Sequence, residues 1–139
     1  TKTLFNWHVL YAVINIIMKK IFIIILLISA TFQTKAQTCD EIMEFVKSKD
    51  YGTTYNSYTS TAISKVTFYS IYLDYQFHYF AIVCFKPNEY SYNCNEYIYK
   101  VGSNTKLNYS MDYLDSAGKA FWKHIQPYAD VLGCSPKFE

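Results

Sequence analysis

"FHYFAIVCFKPNEYSYNCNEYIYKV", residues 77–101, contains two strand patterns separated by a turn. Phe77–Lys86 is apolar on both faces, which predicts a central strand that is packed on two sides. Pro87-Asn88-Glu89 is a turn signal. In Glu96–Val101, two tyrosines and a valine alternate with mostly charged residues, which is typical of a strand with one buried face. The stretch therefore predicts a β-hairpin.

The sequence on the N-terminal side of this hairpin predicts a third strand. Ile63–Leu73 is rich in β-branched and aromatic residues and has a period of two. We expect it to pair with Phe77–Lys86, so that the three strands form an antiparallel meander. Residues 53–61, TTYNSYTST, are polar, and we expect a loop there.

Helical patterns flank the predicted sheet. Thr38-x-x-Glu41 forms a capping box and predicts a helix at 39–49, with Gly52 in the left-handed conformation after it. Ser116 is a candidate N-cap in the C-terminal part, where apolar residues recur at steps of three and four. These apolar residues are Met111, Leu114, Ala117, Phe121 and Ile125. The predicted fold class is α+β, with an N-terminal helix, a three-stranded antiparallel meander and a C-terminal helical segment packed on one sheet face.

The N-terminal part has the order of a secretory signal peptide. Met18-Lys19-Lys20 precedes an apolar run at 21–32, which is followed by a polar segment, QTKAQTC, at 33–39. The apolar run is too short to span a membrane by itself. Cleavage after Ala36 fits best, because threonine and alanine then occupy the −3 and −1 positions.

A competing interpretation joins Leu4–Phe32 into one membrane helix. That helix would bury two lysines near its middle at roughly 2.5–3.5 kcal/mol each, which disfavours it. We therefore expect residues 18–36 to be a signal peptide and residues 1–17 to be an upstream extension of the reading frame without function. Residues 37–139 would then form a single domain that is secreted or periplasmic.

The predicted exported part is acidic. Four of the thirteen lysines lie within the first 36 residues, which leaves nine lysines against eleven Asp and Glu, and the chain has no arginine. A protein that binds nucleic acid neutralises phosphates with clustered Lys and Arg. The sequence therefore disfavours nucleic acid as a partner. It contains no pattern that predicts a cofactor.

The four cysteines all lie in the predicted exported part. An even number in a short secreted chain predicts two disulfides, with three possible connectivities, and the spacings match no common zinc pattern. A hairpin centred on Asn88–Glu89 places Cys84 opposite Cys94, where a cross-strand disulfide forms only at a non-hydrogen-bonded pair. We favour Cys84–Cys94 with Cys39–Cys134, while the other two connectivities stay open.

Two segments of this chain together resemble the KTSC domain. This small domain is found at the C-terminus of some lysyl-tRNA synthetases and alone in bacterial proteins. The segments are YIYKV at 97–101 and SAGKAFWKHIQPY at 116–128. Upstream, AISKVTFY at 62–69 and FAIVCFK at 80–86 are similar to the first two strands of the family. The family motif is matched by Tyr97, Tyr99, Ser116, Gly118, Phe121, Ile125 and Tyr128.

The resemblance covers roughly residues 62–128 and has clear departures. Both hairpins are longer than in the family, and the second insertion carries Cys94. A small insertion lies before Ser116, and Gly102 stands where the family usually has proline. The function of the family is unestablished, and RNA binding has been suggested for it. The acidic charge and the lack of arginine argue against RNA binding by this chain.

Tyrosine is abundant, with fifteen in the chain, and its positions suggest two roles. We expect Tyr97 and Tyr99 to pack into the core with their hydroxyls hydrogen-bonded at its edge. The tyrosines in predicted loops and hairpin ends are candidates for a sugar- or protein-binding surface, unless they reflect only biased codon use. These candidates are Tyr51, Tyr55, Tyr58, Tyr72, Tyr75, Tyr90 and Tyr92.

No group of residues predicts an enzyme. Asp112 and Asp115 are close enough in sequence to suggest an acid pair, but we interpret them as dipole partners near a helix start. For His124 we expect a role at a helix surface or edge, and His78 shares its strand face with apolar residues.

We therefore expect a small exported, disulfide-stabilised, non-enzymatic binding or structural module. Its partner would be a protein or glycan of the cell envelope. The alternatives are an RNA-binding KTSC domain and a small envelope enzyme that depends on His78, His124 or Asp115.

Overall fold

The computed structural model describes residue 7, residues 10–21 and residues 36–138. The chain divides into two compact units, Thr1–Ala36 and Gln37–Glu139. In the first unit, residues 10–21 are helical, and most of the predicted apolar run lies outside the described residues. None of the described helices is long and apolar enough to cross a membrane.

The second unit contains a four-stranded antiparallel sheet whose strand order follows the chain. The strands are β1 Thr53–Asn56, β2 Ile63–Leu73, β3 Gln76–Phe85 and β4 Asn95–Val101. The three predicted strands are confirmed with small differences at their ends. The prediction of a loop throughout 53–61 is wrong, because β1 occupies its first part and adds a fourth strand.

The short strand β1 forms one edge of the sheet. Its threonines are β-branched, and Thr54 Oγ1 lies 2.9 Å from Thr67 Oγ1 on the neighbouring strand. Gly52 precedes β1 with a φ of 62°, and a Cβ at this position would lie 2.7 Å from the Thr67 methyl carbon. A glycine here therefore lets the chain turn from the first helix into the sheet.

Helix α1, Cys39–Lys49, is confirmed together with its capping box. The Thr38 hydroxyl accepts from the Glu41 backbone N–H at 3.2 Å, and the Glu41 carboxylate accepts from the Thr38 N–H at 2.8 Å. An ion pair between Lys47 and Glu96 joins α1 to β4, and hydrogen bonding to Glu96 raises the pKa of Lys47. The helix contributes Val46 to a buried cluster. The cluster also contains Tyr69, Ile71, Phe80, Ile82, Ile98 and Cys134.

The C-terminal part consists of short helices. They are α2 Thr105–Asp112, α3 Ala117–His124, a 3₁₀ helix Gln126–Tyr128 and α4 Ala129–Leu132. Ser116 caps α3, as predicted. Side chains of α2 and α3 form a second buried cluster with sheet residues that alternate with those of the first cluster. Its largest members are Phe68, Tyr99, Tyr109 and Phe121. We call it the C-terminal core.

The five apolar residues that recur at helical spacing in the C-terminal part differ in burial. Ala117, Phe121 and Ile125 are buried, but Met111 and Leu114 are exposed. One helix ends at Asp112 and the next begins at Ala117, so the apolar residues of α2 and α3 do not share one helix face. The buried residues of α2 are instead Thr105 and Tyr109, and the neighbours of Tyr109 in sequence are polar.

The structure pairs Cys39 with Cys134 and Cys84 with Cys94, which are the two pairs that we favoured. The Cα atoms lie 5.6 Å apart in the first pair and 5.3 Å apart in the second. The first disulfide joins the start of α1 to the segment after α4. The second closes the loop between β3 and β4.

The pairing register of β3 and β4, from which the second disulfide was predicted, differs from the predicted register. Cys84 lies opposite Glu96, and Cys94 comes just before β4. The loop is therefore centred near Tyr90 rather than on the Pro87-Asn88-Glu89 turn signal. This turn signal marks only the start of a longer loop.

Candidate functional site

A cleft of about 570 Å³ lies at one end of the sheet, between the β1–β2 loop and the β3–β4 loop. The register places these loops side by side, because Asn56 pairs with Lys65 on β2 and Ile63 pairs with Phe85 on β3. Three tyrosines line the cleft, Tyr58, Tyr90 and Tyr92. We call this site the tyrosine cleft.

Hydrogen bonds hold the two loops of the tyrosine cleft together. The Lys86 backbone N–H donates to the Ala62 carbonyl at 2.8 Å, and the Lys86 ammonium donates to the Ser60 carbonyl at 2.7 Å. The Ser57 N–H donates to the Ser64 carbonyl at 2.8 Å and closes the β1–β2 loop on itself. The shape of the cleft is therefore fixed by the fold.

The β3–β4 loop is also fixed within itself. The Asn88 side chain accepts from the Tyr90 N–H at 3.1 Å, which is the geometry of an Asx turn. The Ser91 hydroxyl donates to the Asn93 carbonyl at 2.9 Å. The Cys84–Cys94 disulfide joins the two ends of the loop. Tyr90 and Tyr92 are thus displayed from a braced backbone.

The lining of the tyrosine cleft is polar and electrically balanced. Lys86 and Glu89 carry opposite charges, and the other lining residues are serines, tyrosines and one asparagine. Hydrogen bonding to the Glu89 carboxylate raises the pKa of the Tyr90 hydroxyl, because the carboxylate favours the protonated phenol. The cleft therefore offers aromatic rings, hydroxyl groups and an amide, with no net charge from its side chains.

The structure separates the predicted tyrosine surface into three places. Tyr58, Tyr90 and Tyr92 converge on the tyrosine cleft. Tyr72 and Tyr75 lie at the opposite end of the sheet, where β2 and β3 join. Tyr51 is exposed between α1 and β1.

The expectation that Tyr55 belongs to the exposed surface is wrong. Its ring packs in edge-to-face contacts with Phe68 at 5.9 Å and Tyr113 at 5.1 Å between ring centroids. Tyr55 lies on β1, and strand pairing directs its side chain onto the C-terminal core. The position looked like a loop only because β1 is short and polar.

The hairpin at the opposite end of the sheet is tight. Asp74 and Tyr75 both have positive φ, as in a two-residue type I′ turn. The Tyr72 and Phe77 rings pack on each other with centroids 5.1 Å apart. None of these rings lines the tyrosine cleft or the three other clefts described below or beside α1. This end thus exposes tyrosines on a convex turn.

Tyr99 and Tyr109 are fully buried in the C-terminal core, and burial raises the pKa of both hydroxyls, that of Tyr109 to about 12. The expectation of a hydrogen-bonded Tyr99 hydroxyl is wrong, because it has no partner among the described residues. The Tyr109 hydroxyl lies beside that of Ser57, without good hydrogen-bond geometry. Tyr97 is partly buried and packs against Phe85.

Of the other residues that resemble the KTSC motif, Phe121 and Ile125 lie with Tyr99 in the C-terminal core, and Ser116 and Gly118 lie at the start of α3. The Phe121 ring lies 5.7 Å from the Tyr99 ring, and Ile125 is buried in the same core. The Ser116 hydroxyl accepts from the Lys119 N–H at 3.3 Å, and no side chain crowds Gly118. Phe121 and Ile125 thus pack the core, while Ser116 caps α3.

Packing against Tyr128 explains why position 102 is a glycine. A Cβ on Gly102 would lie 2.5 Å from the Tyr128 hydroxyl oxygen. Tyr128 therefore occupies the space that any side chain at position 102 would need.

A polar cluster that the sequence did not predict joins α2 to α3. Asp112 Oδ2 lies 2.7 Å from His124 Nε2 and 2.8 Å from Lys123 Nζ, and the two groups lower the pKa of Asp112, Lys123 having the larger effect. His124 and Lys123 also line a cleft of about 300 Å³ with Tyr128. Asp112 ends α2, so its interpretation as a helix-start residue is wrong.

The other candidate catalytic residues stay apart from this cluster. Asp115 is exposed and lines a different cleft, beside the N-terminus of α3. His78 lies on β3 opposite Ile71. Within the described part of the chain, no three His, Cys, Asp or Glu residues are placed to hold a metal ion.

Comparison with protein-family models, with curated proteins and with solved structures found no significant match to this chain. The candidate function therefore depends on the geometry of the tyrosine cleft.

Proposed function

We propose that this protein is a small exported, disulfide-stabilised, non-enzymatic module that binds a protein or glycan of the cell envelope through the tyrosine cleft. The observation that carries the proposal is the convergence of Tyr58, Tyr90 and Tyr92 on one braced concavity. Exposed tyrosines on a fixed backbone supply contact area at a low cost in conformational entropy. Ligand sites are concave and usually preformed, as this one is.

Several observations support export. Both disulfides lie in the second unit, and such bonds persist in oxidising compartments outside the cytosol. The boundary between the two compact units falls after Ala36, which is also the cleavage position that the sequence favours. Removal of the first 36 residues would leave the sheet and both buried clusters intact.

The composition of the tyrosine cleft supports binding rather than catalysis. Its ionisable side chains other than tyrosine are Lys86 and Glu89. The Lys86 ammonium is already bound to the Ser60 carbonyl, and Glu89 is exposed. Catalytic acids and bases usually occupy buried sites that shift their pKa values. The Asp112–His124 pair lies at the end of the C-terminal helices and does not line this cleft.

We also propose that residues 62–128 form a KTSC-type domain with an added N-terminal helix. The packing of Phe121 on Tyr99 supports this assignment, because both positions belong to the motif. The role of the motif would then be structural, and binding would belong to the tyrosine cleft, to which the inserted β3–β4 loop contributes Tyr90 and Tyr92. A nucleic-acid ligand finds no support in the charge of the cleft.

Retention by cell envelopes tests the proposed function. The full chain would be expressed in an exporting host, and the recovered protein would be mixed with washed envelopes and sedimented. We expect the wild type to sediment with the envelopes and Tyr90→Ala/Tyr92→Ala to stay in solution. Tyr72→Ala/Tyr75→Ala is the matched control, since it removes two exposed tyrosines at the other end of the sheet. Equal retention of all three proteins would contradict the proposal.

A further inference from the structure

We infer that the ligand of the tyrosine cleft is a neutral carbohydrate chain. The inference rests on the proposed function and narrows its partner to one chemical class. Four properties of the cleft lead to it: free aromatic faces, a polar lining, balanced charge and a braced shape.

The aromatic rings of the tyrosine cleft are free to stack on a ligand. Tyr58, Tyr90 and Tyr92 are 89%, 84% and 102% exposed. The aromatic pairs among the described residues lie elsewhere, in the C-terminal core and along the β2–β3 hairpin. The face of an aromatic ring carries partial negative charge and attracts the C–H groups on the apolar face of a pyranose ring.

The remaining lining residues suit the hydroxyl groups of a sugar. Asn56 offers an amide that both donates and accepts, and Ser64 and Ser91 offer hydroxyls. Sugar hydroxyls also donate and accept, so small neutral polar side chains can satisfy them in several orientations. The pairing of aromatic rings with such groups matches the two chemically different faces of a pyranose.

The charge of the cleft disfavours an anionic ligand. Lys86 and Glu89 are its two charged residues, and the Lys86 ammonium is held by the Ser60 carbonyl. A phosphate or a uronic acid would meet one occupied cation and one carboxylate. The electrostatic attraction that drives nucleic-acid binding is therefore missing.

A peptide is the main competing ligand, because proline-rich peptides also bind grooves lined by aromatic residues. The lining argues against it. Residues at the tyrosine cleft are polar or tyrosine, and no aliphatic side chain is among them. The centres of protein interfaces are enriched in tyrosine but depleted of lysine, glutamate and serine. The cleft instead combines its tyrosines with Lys86, Glu89 and three serines.

Isothermal titration of the protein with defined oligosaccharides tests this inference. The full chain would be expressed in an exporting host, and the recovered protein would be titrated with the neutral hexasaccharides of cellulose, β-1,3-glucan, chitin and mannan. A proline-rich peptide and oligouridylate represent the other ligand classes. We expect at least one hexasaccharide to bind, with an affinity that added NaCl does not change.

Two single variants test whether the hexasaccharide binds at the tyrosine cleft. We expect Tyr92→Ala to weaken the hexasaccharide roughly tenfold, the upper range for loss of one aromatic contact. Tyr75→Ala, a substitution at an equally exposed tyrosine on the β2–β3 turn, should leave the affinity unchanged. A control thermal melt should give the same Tm for both variants, because both side chains are exposed.

Three results would overturn the inference: binding of none of the four hexasaccharides, binding of only the peptide or the oligouridylate, or equal loss of affinity in Tyr75→Ala. The outcome for the proposed function is separate. If no sugar binds while Tyr90→Ala/Tyr92→Ala still abolishes envelope retention, the cleft is a binding site for another ligand class. If that double variant is retained as well as the wild type, both proposals fail.

Discussion

Tyr92 in the tyrosine cleft and Tyr99 in the C-terminal core lie close together in the chain, yet one is fully exposed and the other fully buried. Around Tyr99, the rings of Phe121 and other core residues replace water completely. Around Tyr92, the backbone is fixed by a disulfide and hydrogen bonds, while the ring stays in solvent. The same side chain thus supplies stability in one region and accessible surface in the other.

The comparison also shows why exposure alone is poor evidence of function. Tyr75 is as exposed as the cleft tyrosines, but it lies on a tight convex turn. The cleft tyrosines differ because three of them share a concavity with polar side chains. The convergence of three tyrosines on one concavity, rather than their exposure, therefore distinguishes the tyrosine cleft as the candidate site.

The largest effect expected from this contrast is on folding stability. Tyr99→Ala should lower the free energy of unfolding by about 4 kcal/mol, because it removes a large buried ring and leaves a cavity. Tyr92→Ala should change it by less than about 0.5 kcal/mol. Urea unfolding of the two oxidised variants measures the difference. Similar losses for both would show that the two regions are not distinct.

The Cys84–Cys94 disulfide should affect both regions but in different ways. Cys84→Ser/Cys94→Ser opens a short loop and should cost about 2–3 kcal/mol of stability. It should also weaken envelope binding, because Tyr90 and Tyr92 lose their fixed backbone. Denaturation and sedimentation with envelopes measure the two effects. Unchanged binding in a folded double variant would show that the brace is unnecessary.

Removal of a single tyrosine hydroxyl should change the unfolding free energy differently at a buried and at a partly buried position. Tyr99→Phe should raise the unfolding free energy by about 1 kcal/mol, since the Tyr99 hydroxyl is buried without a partner among the described residues. Tyr97→Phe is the matched control on the same strand and should have little effect. Thermal melts compare the two. A destabilised Tyr99→Phe would indicate that the hydroxyl is hydrogen-bonded in solution.

The smallest expected effect is the pH dependence of folding stability that comes from the polar cluster of Asp112, Lys123 and His124. Hydrogen bonds from Lys123 and His124 lower the pKa of Asp112 below 3.8, so the carboxylate stabilises the fold above that value. The contribution is lost as pH falls through the lowered pKa. Asp112→Asn should therefore lower Tm slightly at neutral pH and not in strong acid.

Asp115→Asn is the control for that measurement, because Asp115 is exposed and stands outside the cluster. A pH profile for Asp112→Asn that runs parallel to the wild type would show that the cluster does not contribute. The prediction concerns stability only, since these residues do not line the tyrosine cleft.

Local patterns predicted the main elements of the fold. Alternation and β-branched residues marked β2, β3 and β4, and the capping box at Thr38 marked α1. Strand β1 escaped prediction because it is short and polar, and it forms by pairing with β2. The packing of the partly buried Tyr55 on the C-terminal core follows from the same pairing, so the local sequence did not predict it.

The candidate site was predictable only in part. Tyr58, Tyr90 and Tyr92 were expected to be exposed, and they are. Their convergence with Ser64 depends on the register of strands that are distant in sequence. The Asp112 cluster was missed for a similar reason, because the break between α2 and α3 decides which side chains meet.

Photo-crosslinking in the exporting cells tests the role of the tyrosine cleft most directly. A benzophenone side chain would replace Tyr92 in one version of the full chain and Tyr75 in another. We expect irradiation to join a carbohydrate-bearing envelope component to the protein from position 92 and not from position 75. Equal crosslinking from both positions, or crosslinking from position 75 alone, would contradict the assignment of binding to the cleft.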